Sequence, residues 1–343
     1  MPCVYTTPAG LCDGSRPLSK NEHYFSRALG NFKDNEPLVD RICDGCQGVC
    51  SKLEDVLAHN SPEAFFREMI GRVGRTKRDK KNIFYEPTFG IPPLGIYGKH
   101  PGHDFEILWE WVSKDGCAPM SQLVFLAKDG KTLHLPFRKA RWTVEKIREL
   151  LKERGVSPDQ IVVFANSEDE DAEMKVLTDE LVPKGKDLEV APVLNGAKIE
   201  GQMKVQMTEK YIRAIAKIGF HFFLKYFPEF TGLEPEFDDI KRFIYTGEAK
   251  RQMVERTTEP FLRDLQQGAR ILTWCHLVSA EYGEKGMVAR IQFFVGPKVQ
   301  PFVWIVLIDP TPTKDAGATG AAFVYFDDVT DGYDGVRVEL KAI

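Results

Sequence analysis

Cys43 and Cys46 are separated by two residues in Cys-Asp-Gly-Cys, the spacing at which two thiolates hold one zinc ion in a tight knuckle. A tetrahedral site needs two further ligands. Three more cysteines lie close in sequence: Cys3 and Cys12 upstream, and Cys50 one turn into the segment that follows. Ahead of the knuckle, Glu22 and His23 stand side by side. The Glu22 carboxylate and the Gln47 amide oxygen are hard donors that suit a divalent cation such as Mg2+ or Mn2+. The His23 imidazole, with an intrinsic pKa of about 6.5, can take a proton from water at neutral pH. Hydrolysis of a phosphodiester needs these two things, a base for the attacking water and a cation on the leaving 3′ oxygen.

The chain around these residues has 343 residues, 43% apolar and 28% charged, with a net charge of −4. That composition fits a globular protein of about two domains, long enough to bury a core without disulfides. The acidic balance excludes a whole-surface nucleic-acid binder but leaves room for a local basic patch. No run of eighteen apolar residues occurs, and the N-terminus lacks a basic segment followed by an apolar one, so a cytoplasmic location without a membrane span is expected. Seven cysteines, five of them in the first fifty residues, then favour a metal site over disulfides.

Residues 1–60 hold many turn formers and few β-branched runs, so a zinc ion must order the short strands around Glu22 and His23. From Gln47 the apolar residues Val49, Leu53, Val56 and Leu57 recur at helical spacing. Ser61-Pro62 starts a second helix as N-cap and first helical residue. Beyond it Arg72, Arg75, Lys77, Arg78, Lys80 and Lys81 face a single acid, Asp79, and form the local basic patch, a candidate contact to nucleic-acid phosphates. A Gly- and Pro-rich stretch over 85–103 reads as a linker, which sets a boundary near residue 84. The expected domains are a zinc module over 1–84 and a larger α+β domain over 85–343. The second should combine an antiparallel sheet with a central apolar helix over 208–227, and an acidic solvated segment over 167–175.

The ordered string Glu-His-Tyr-Phe-Ser-Arg-Ala-Leu-Gly, Cys-Asp-Gly-Cys-Gln and Ser-Pro-Glu-Ala-Phe-Phe-Arg over roughly residues 9–72 resembles the HNH endonucleases. The similar branch of that family has a ββα-metal, treble-clef-like fold held by a four-cysteine zinc. The resemblance implies His23 as general base, Glu22 and Gln47 as ligands of the catalytic cation, and Cys12, Cys43 and Cys46 as ligands of the structural zinc. It implies DNA as the partner and a phosphodiester as the substrate.

The chain departs from the family pattern at four places. Gln47 stands where the family has Asn, Ser26 stands where it has Pro, and Ala9 takes the position of its first cysteine. The fourth zinc ligand therefore falls to Cys3 or Cys50, with Cys3 preferred because the knuckle has already set the start of the helix that carries Cys50. The Asn that orients the catalytic imidazole is absent, and Asp40 stands near its place. These departures bring in a second reading, a non-catalytic module that binds nucleic acid or protein through a degenerate site. His100 and His103 with Asp104 form a weaker metal candidate, whereas His221, His276, Cys117 and Cys275 read as core residues.

Overall fold

The structure is a computed structural model that describes residues 2–340 apart from the segments 70–93, 100–104, 114–115, 138–141, 182–187, 191–200, 259–273, 297–301 and 331–332 and the single positions 9, 20, 28, 60, 159, 166, 206, 285 and 314. The chain divides into two compact units. One joins Met1–Lys80 to Met207–Ile343, and the other is Lys81–Gln206.

The first unit opens with strands β1 (Glu22–His23), β2 (Phe32–Lys33) and β3 (Pro37–Leu38), followed by helices α1 (Asp44–His59) and α2 (Pro62–Met69). Strands β1 and β3 pair antiparallel, with Glu22 opposite Leu38 and His23 opposite Pro37. Asp44 opens α1 with a carboxylate that accepts the backbone N–H and the hydroxyl of Ser19 and complements the positive end of the helix dipole. The expected apolar stripe places Leu53, Val56 and Leu57 in the core. Ser61 caps α2 as expected, its Oγ accepting the Ala64 N–H at 3.1 Å.

The second unit contains β4 (Leu94–Lys99), β5 (Glu106–Ser113), β6 (Gly116–Pro119), β7 (Gln122–Leu126), β8 (Thr132–Pro136), α3 (Val144–Glu153), β9 (Gln160–Phe164), α4 (Glu168–Leu181), β10 (Leu188–Val190) and β11 (Gly201–Val205). Two four-stranded sheets result, in the orders β11-β4-β5-β6 and β10-β9-β7-β8. Thr143 caps α3 and Gly155, at φ 61°, follows its end. Two expectations fail in this unit. Residues 94–99 form a strand rather than linker, because β4 is paired on both sides. Residues 168–181 form a helix rather than a solvated run, because Ser167 caps it and its turns bury Met174 and Thr178. Its acidic first turns also favour the helix N-terminus.

The chain then returns to the first unit with α5 (Glu209–Tyr226), a 3-10 turn at Pro235–Phe237, α6 (Asp238–Thr246), and strands β12 (Val254–Thr257), β13 (Cys275–Gly283), β14 (Gly286–Val295), β15 (Val303–Asp309), β16 (Gly317–Thr330) and β17 (Tyr333–Leu340). With β2 these strands make a seven-stranded sheet in the order β12-β15-β14-β13-β16-β17-β2, antiparallel except for the parallel β17–β2 pair. Thr208 caps α5, which buries an unbroken run from Ala214 to Leu224. Gly219 sits where α5 presses on the sheet. A Cβ there would lie 2.9 Å from Val306 and 3.2 Å from Ala289, so only a hydrogen fits.

This arrangement replaces the expected division into 1–84 and 85–343. The N-terminal apolar residues have no core of their own, but they complete that of residues 207–343. Phe25 stacks on Phe323 with ring centroids 3.8 Å apart, Tyr24 meets Phe222 edge-on at 5.7 Å, and the Tyr325 hydroxyl donates to the Leu29 carbonyl. No described helix is long and apolar enough to cross a membrane.

Candidate functional site

The Sγ atoms of Cys3, Cys12, Cys43 and Cys46 all lie within 4.8 Å of one another. A tetrahedral zinc with Zn–S bonds of about 2.3 Å separates its sulfurs by about 3.8 Å. The Cys12–Cys43 pair stands at 3.5 Å, so the four thiols fit a metal ion such as zinc. The backbone builds this cluster from both sides. The Val4 N–H donates to the Arg41 carbonyl at 2.9 Å, which pins the first residues against the entry to α1. Cys43 then precedes α1 and Cys46 lies in its first turn. The Cys43 and Gly14 N–H groups point at the Cys3 and Cys12 sulfurs, each at 3.4 Å, and favour thiolates there. Hydrogen bonding from the Cys46 thiol pulls Cys3 down to about 5 despite the opposing effect of burial.

Cys50 takes no part in this cluster. Its thiol lies 4.0 Å from the Tyr5 hydroxyl, and burial pushes its pKa up and keeps it protonated. The choice between Cys3 and Cys50 therefore falls to Cys3.

Strand β1 turns Glu22 into the interior, where its side chain is 7% exposed. It meets the ammonium of Lys217, which reaches in from α5 and is 1% exposed. The same Nζ donates to Glu54 Oε1 at 2.5 Å and to the His23 carbonyl at 3.3 Å. Burial opposes the Lys217 charge, but the adjacent Glu22 and Glu54 carboxylates outweigh it and hold Lys217 well above the usual lysine range. The Gln47 side chain donates from Nε2 to the second oxygen of Glu22 at 3.1 Å. A divalent cation bound by Glu22 and Gln47 does not fit this arrangement. One Glu22 oxygen faces an ammonium and the other accepts the Gln47 Nε2–H.

His23 is half-buried beside this centre. Its Nδ1 lies 3.0 Å from the Asn35 carbonyl, the geometry of an N–H donor, which leaves Nε2 as the basic nitrogen, 3.5 Å from Arg27 Nη1. Burial, and then the Arg27 charge, lower the His23 pKa, so the ring is neutral at pH 7. The imidazole is thus oriented by a backbone carbonyl and not by Asp40, which is exposed in a turn at φ 53°. Asn35 is fixed in turn, its Nδ2 donating to the Phe25 carbonyl at 3.0 Å.

The structure unites Cys3, Cys12, Cys43 and Cys46 in one cluster, and Glu22, His23 and Gln47 in a second. Arg72, Arg75, Lys77, Arg78, His100 and His103 lie outside the described residues. Sequence reasoning missed Lys217 and Glu54. The signal was a single lysine inside the apolar run Ile215-Ala216-Lys217-Ile218, since a buried ammonium requires a carboxylate partner. His221 and His276 are core residues, as expected. The first is paired with the Tyr5 hydroxyl, and the second lies between the Tyr325 hydroxyl and the Phe294 N–H. Comparison with protein-family models, with curated proteins and with solved structures gives no match.

Proposed function

We propose that the chain is an HNH-type module that binds DNA without cutting it: a zinc-ordered, treble-clef-like N-terminal element docked on a central apolar helix, α5. The observation that carries this reading is the Lys217 ammonium between Glu22 and Glu54, in the place a catalytic cation would need. Without that cation the leaving 3′ oxygen loses its electrostatic stabilisation. Supporting the module itself are the β1–β3 pair before α1 and the four thiols that converge at the head of that helix. His23 and Arg27, side by side, offer an imidazole and a guanidinium to one phosphate, and the basic residues Arg72, Arg75, Lys77 and Arg78 would add further backbone contacts.

A second reading, a metal-dependent HNH endonuclease with Mg2+ or Mn2+ and His23 as base, is favoured by one feature. The Asn35 carbonyl holds the neutral ring in the tautomer a general base requires. Nicking of supercoiled plasmid in Mg2+ or Mn2+, beside His23→Ala, separates the two. The binding reading expects no nicking above that of the variant, together with a gel shift that weakens with salt and on neutralising Arg72, Arg75, Lys77 and Arg78. His23-dependent nicking would establish the nuclease instead. Absence of both nicking and shift would turn the module into a protein contact.

A further inference from the structure

The second cluster has the donors of a hard-cation site and a resident that is not a metal. Three oxygens from two elements surround the Lys217 ammonium: Glu22 Oε1 and the His23 carbonyl from β1, and Glu54 Oε1 from α1. Two carboxylates face one ammonium, which leaves a formal charge of −1 in a buried place. Among the described residues, Glu22 Oε1 has no partner other than the Lys217 ammonium, which it meets in direct ionic contact. The Gln47 oxygen has none, and it swings inward if the amide turns over. An all-oxygen set with excess negative charge is what Mg2+ and Mn2+ prefer.

We propose that Lys217 is a built-in substitute for a divalent cation: α5 carries an ammonium into a site that takes Mn2+ or Mg2+ once the lysine is removed. The protein therefore keeps this centre filled whatever the divalent-cation concentration, and the ammonium joins the N-terminal segment to α5. This inference rests on the non-cleaving reading but is tested apart from it, through metal occupancy and not through cleavage.

The experiment uses the full chain with its cysteine-bound metal in place. Mn2+ binding is followed by electron paramagnetic resonance, and folding by circular dichroism, for wild type, Lys217→Ala and Lys217→Ala with Glu22→Gln. Wild type is expected to bind no Mn2+ that depends on Glu22. Lys217→Ala should be less stable than wild type in buffer that holds zinc and no other divalent cation, regain stability in millimolar Mn2+ and bind that ion at least about tenfold more tightly than wild type, since it removes a like charge beside the site. Adding Glu22→Gln should abolish both effects. If Lys217→Ala is unfolded in that buffer without Mn2+, the inference expects Mn2+ to refold it. Glu22-dependent Mn2+ binding by wild type would overturn the proposal, as would a Lys217→Ala protein that gains neither binding nor stability from Mn2+. Plasmid nicking by wild type would instead count against the non-cleaving reading alone.

Discussion

Each of the five N-terminal cysteines has its own chemical surroundings, and these separate ligand from bystander. Cys3 receives a backbone N–H and lies with three other sulfurs, whereas Cys50, four residues after Cys46 on the same helix, faces a tyrosine hydroxyl in a fully buried place. Cys3→Ser is therefore expected to lower bound zinc from about one per chain to well below it, whereas Cys50→Ser retains the metal, as measured by atomic absorption on purified protein. Equal zinc loss from both variants would mean that Cys50 is a ligand. The knuckle and Glu22-His23 were legible in the sequence because their spacing is local. Lys217 was not, because the partner of Glu22 lies 195 residues further along the chain and only the fold brings the two together.

Helix α5 was legible from its apolar run, but the reason for its single glycine lies in the sheet beneath it. Gly219 meets Val306 and Ala289 too closely for a methyl group, so Gly219→Ala is expected to cost about 1–3 kcal/mol by overpacking, even though alanine is the better helix former. Chemical denaturation would measure it, and a stabilised variant would contradict the packing. The acidic helix α4 was missed for the opposite reason. Its local composition reads as solvated, and only the cap and the few residues it buries reveal the helix. Strand β13 sets a pH limit on the unit that contains α5. Burial lowers His276 to about 3, far below its ordinary value, while the Phe294 N–H and the Tyr325 hydroxyl occupy its nitrogens. As the pH falls through about 6.5, the unfolded chain takes a proton that the folded one refuses. Stability is thus undiminished above that pH and lost below it, by about 1.4 kcal/mol per pH unit from this residue, down to its folded pKa. Urea titrations between pH 7 and 5 should show the slope, and His276→Gln should flatten it.

At the scale of the whole molecule, the chain leaves one unit at residue 80, completes a second and returns to the first at residue 207. Sequence order alone suggested a zinc module followed by a separate domain, because composition shifts near residue 84 and the local pattern carries no trace of pairing across 300 residues. The pairing is there nonetheless. Strand β2 adds to β17 in parallel, the Asn31 N–H donates to the Asp334 carboxylate at 2.7 Å, and Phe25, Phe32 and Tyr24 fill the space beside Phe323 and Phe222. A fragment ending at residue 84 would expose those aromatic rings and leave Glu22 without its ammonium, so the four cysteines would have to order a segment without a core. Replacing residues 81–206 by a long flexible linker removes none of these contacts. The deletion protein is therefore expected to purify folded, with zinc bound and a single cooperative thermal transition. The 1–84 fragment should give a circular dichroism spectrum that changes with added zinc but shows no cooperative melting. Cooperative melting of the isolated fragment would mean that the N-terminal segment folds on its own and that its burial against α5 and the seven-stranded sheet is a docking event instead.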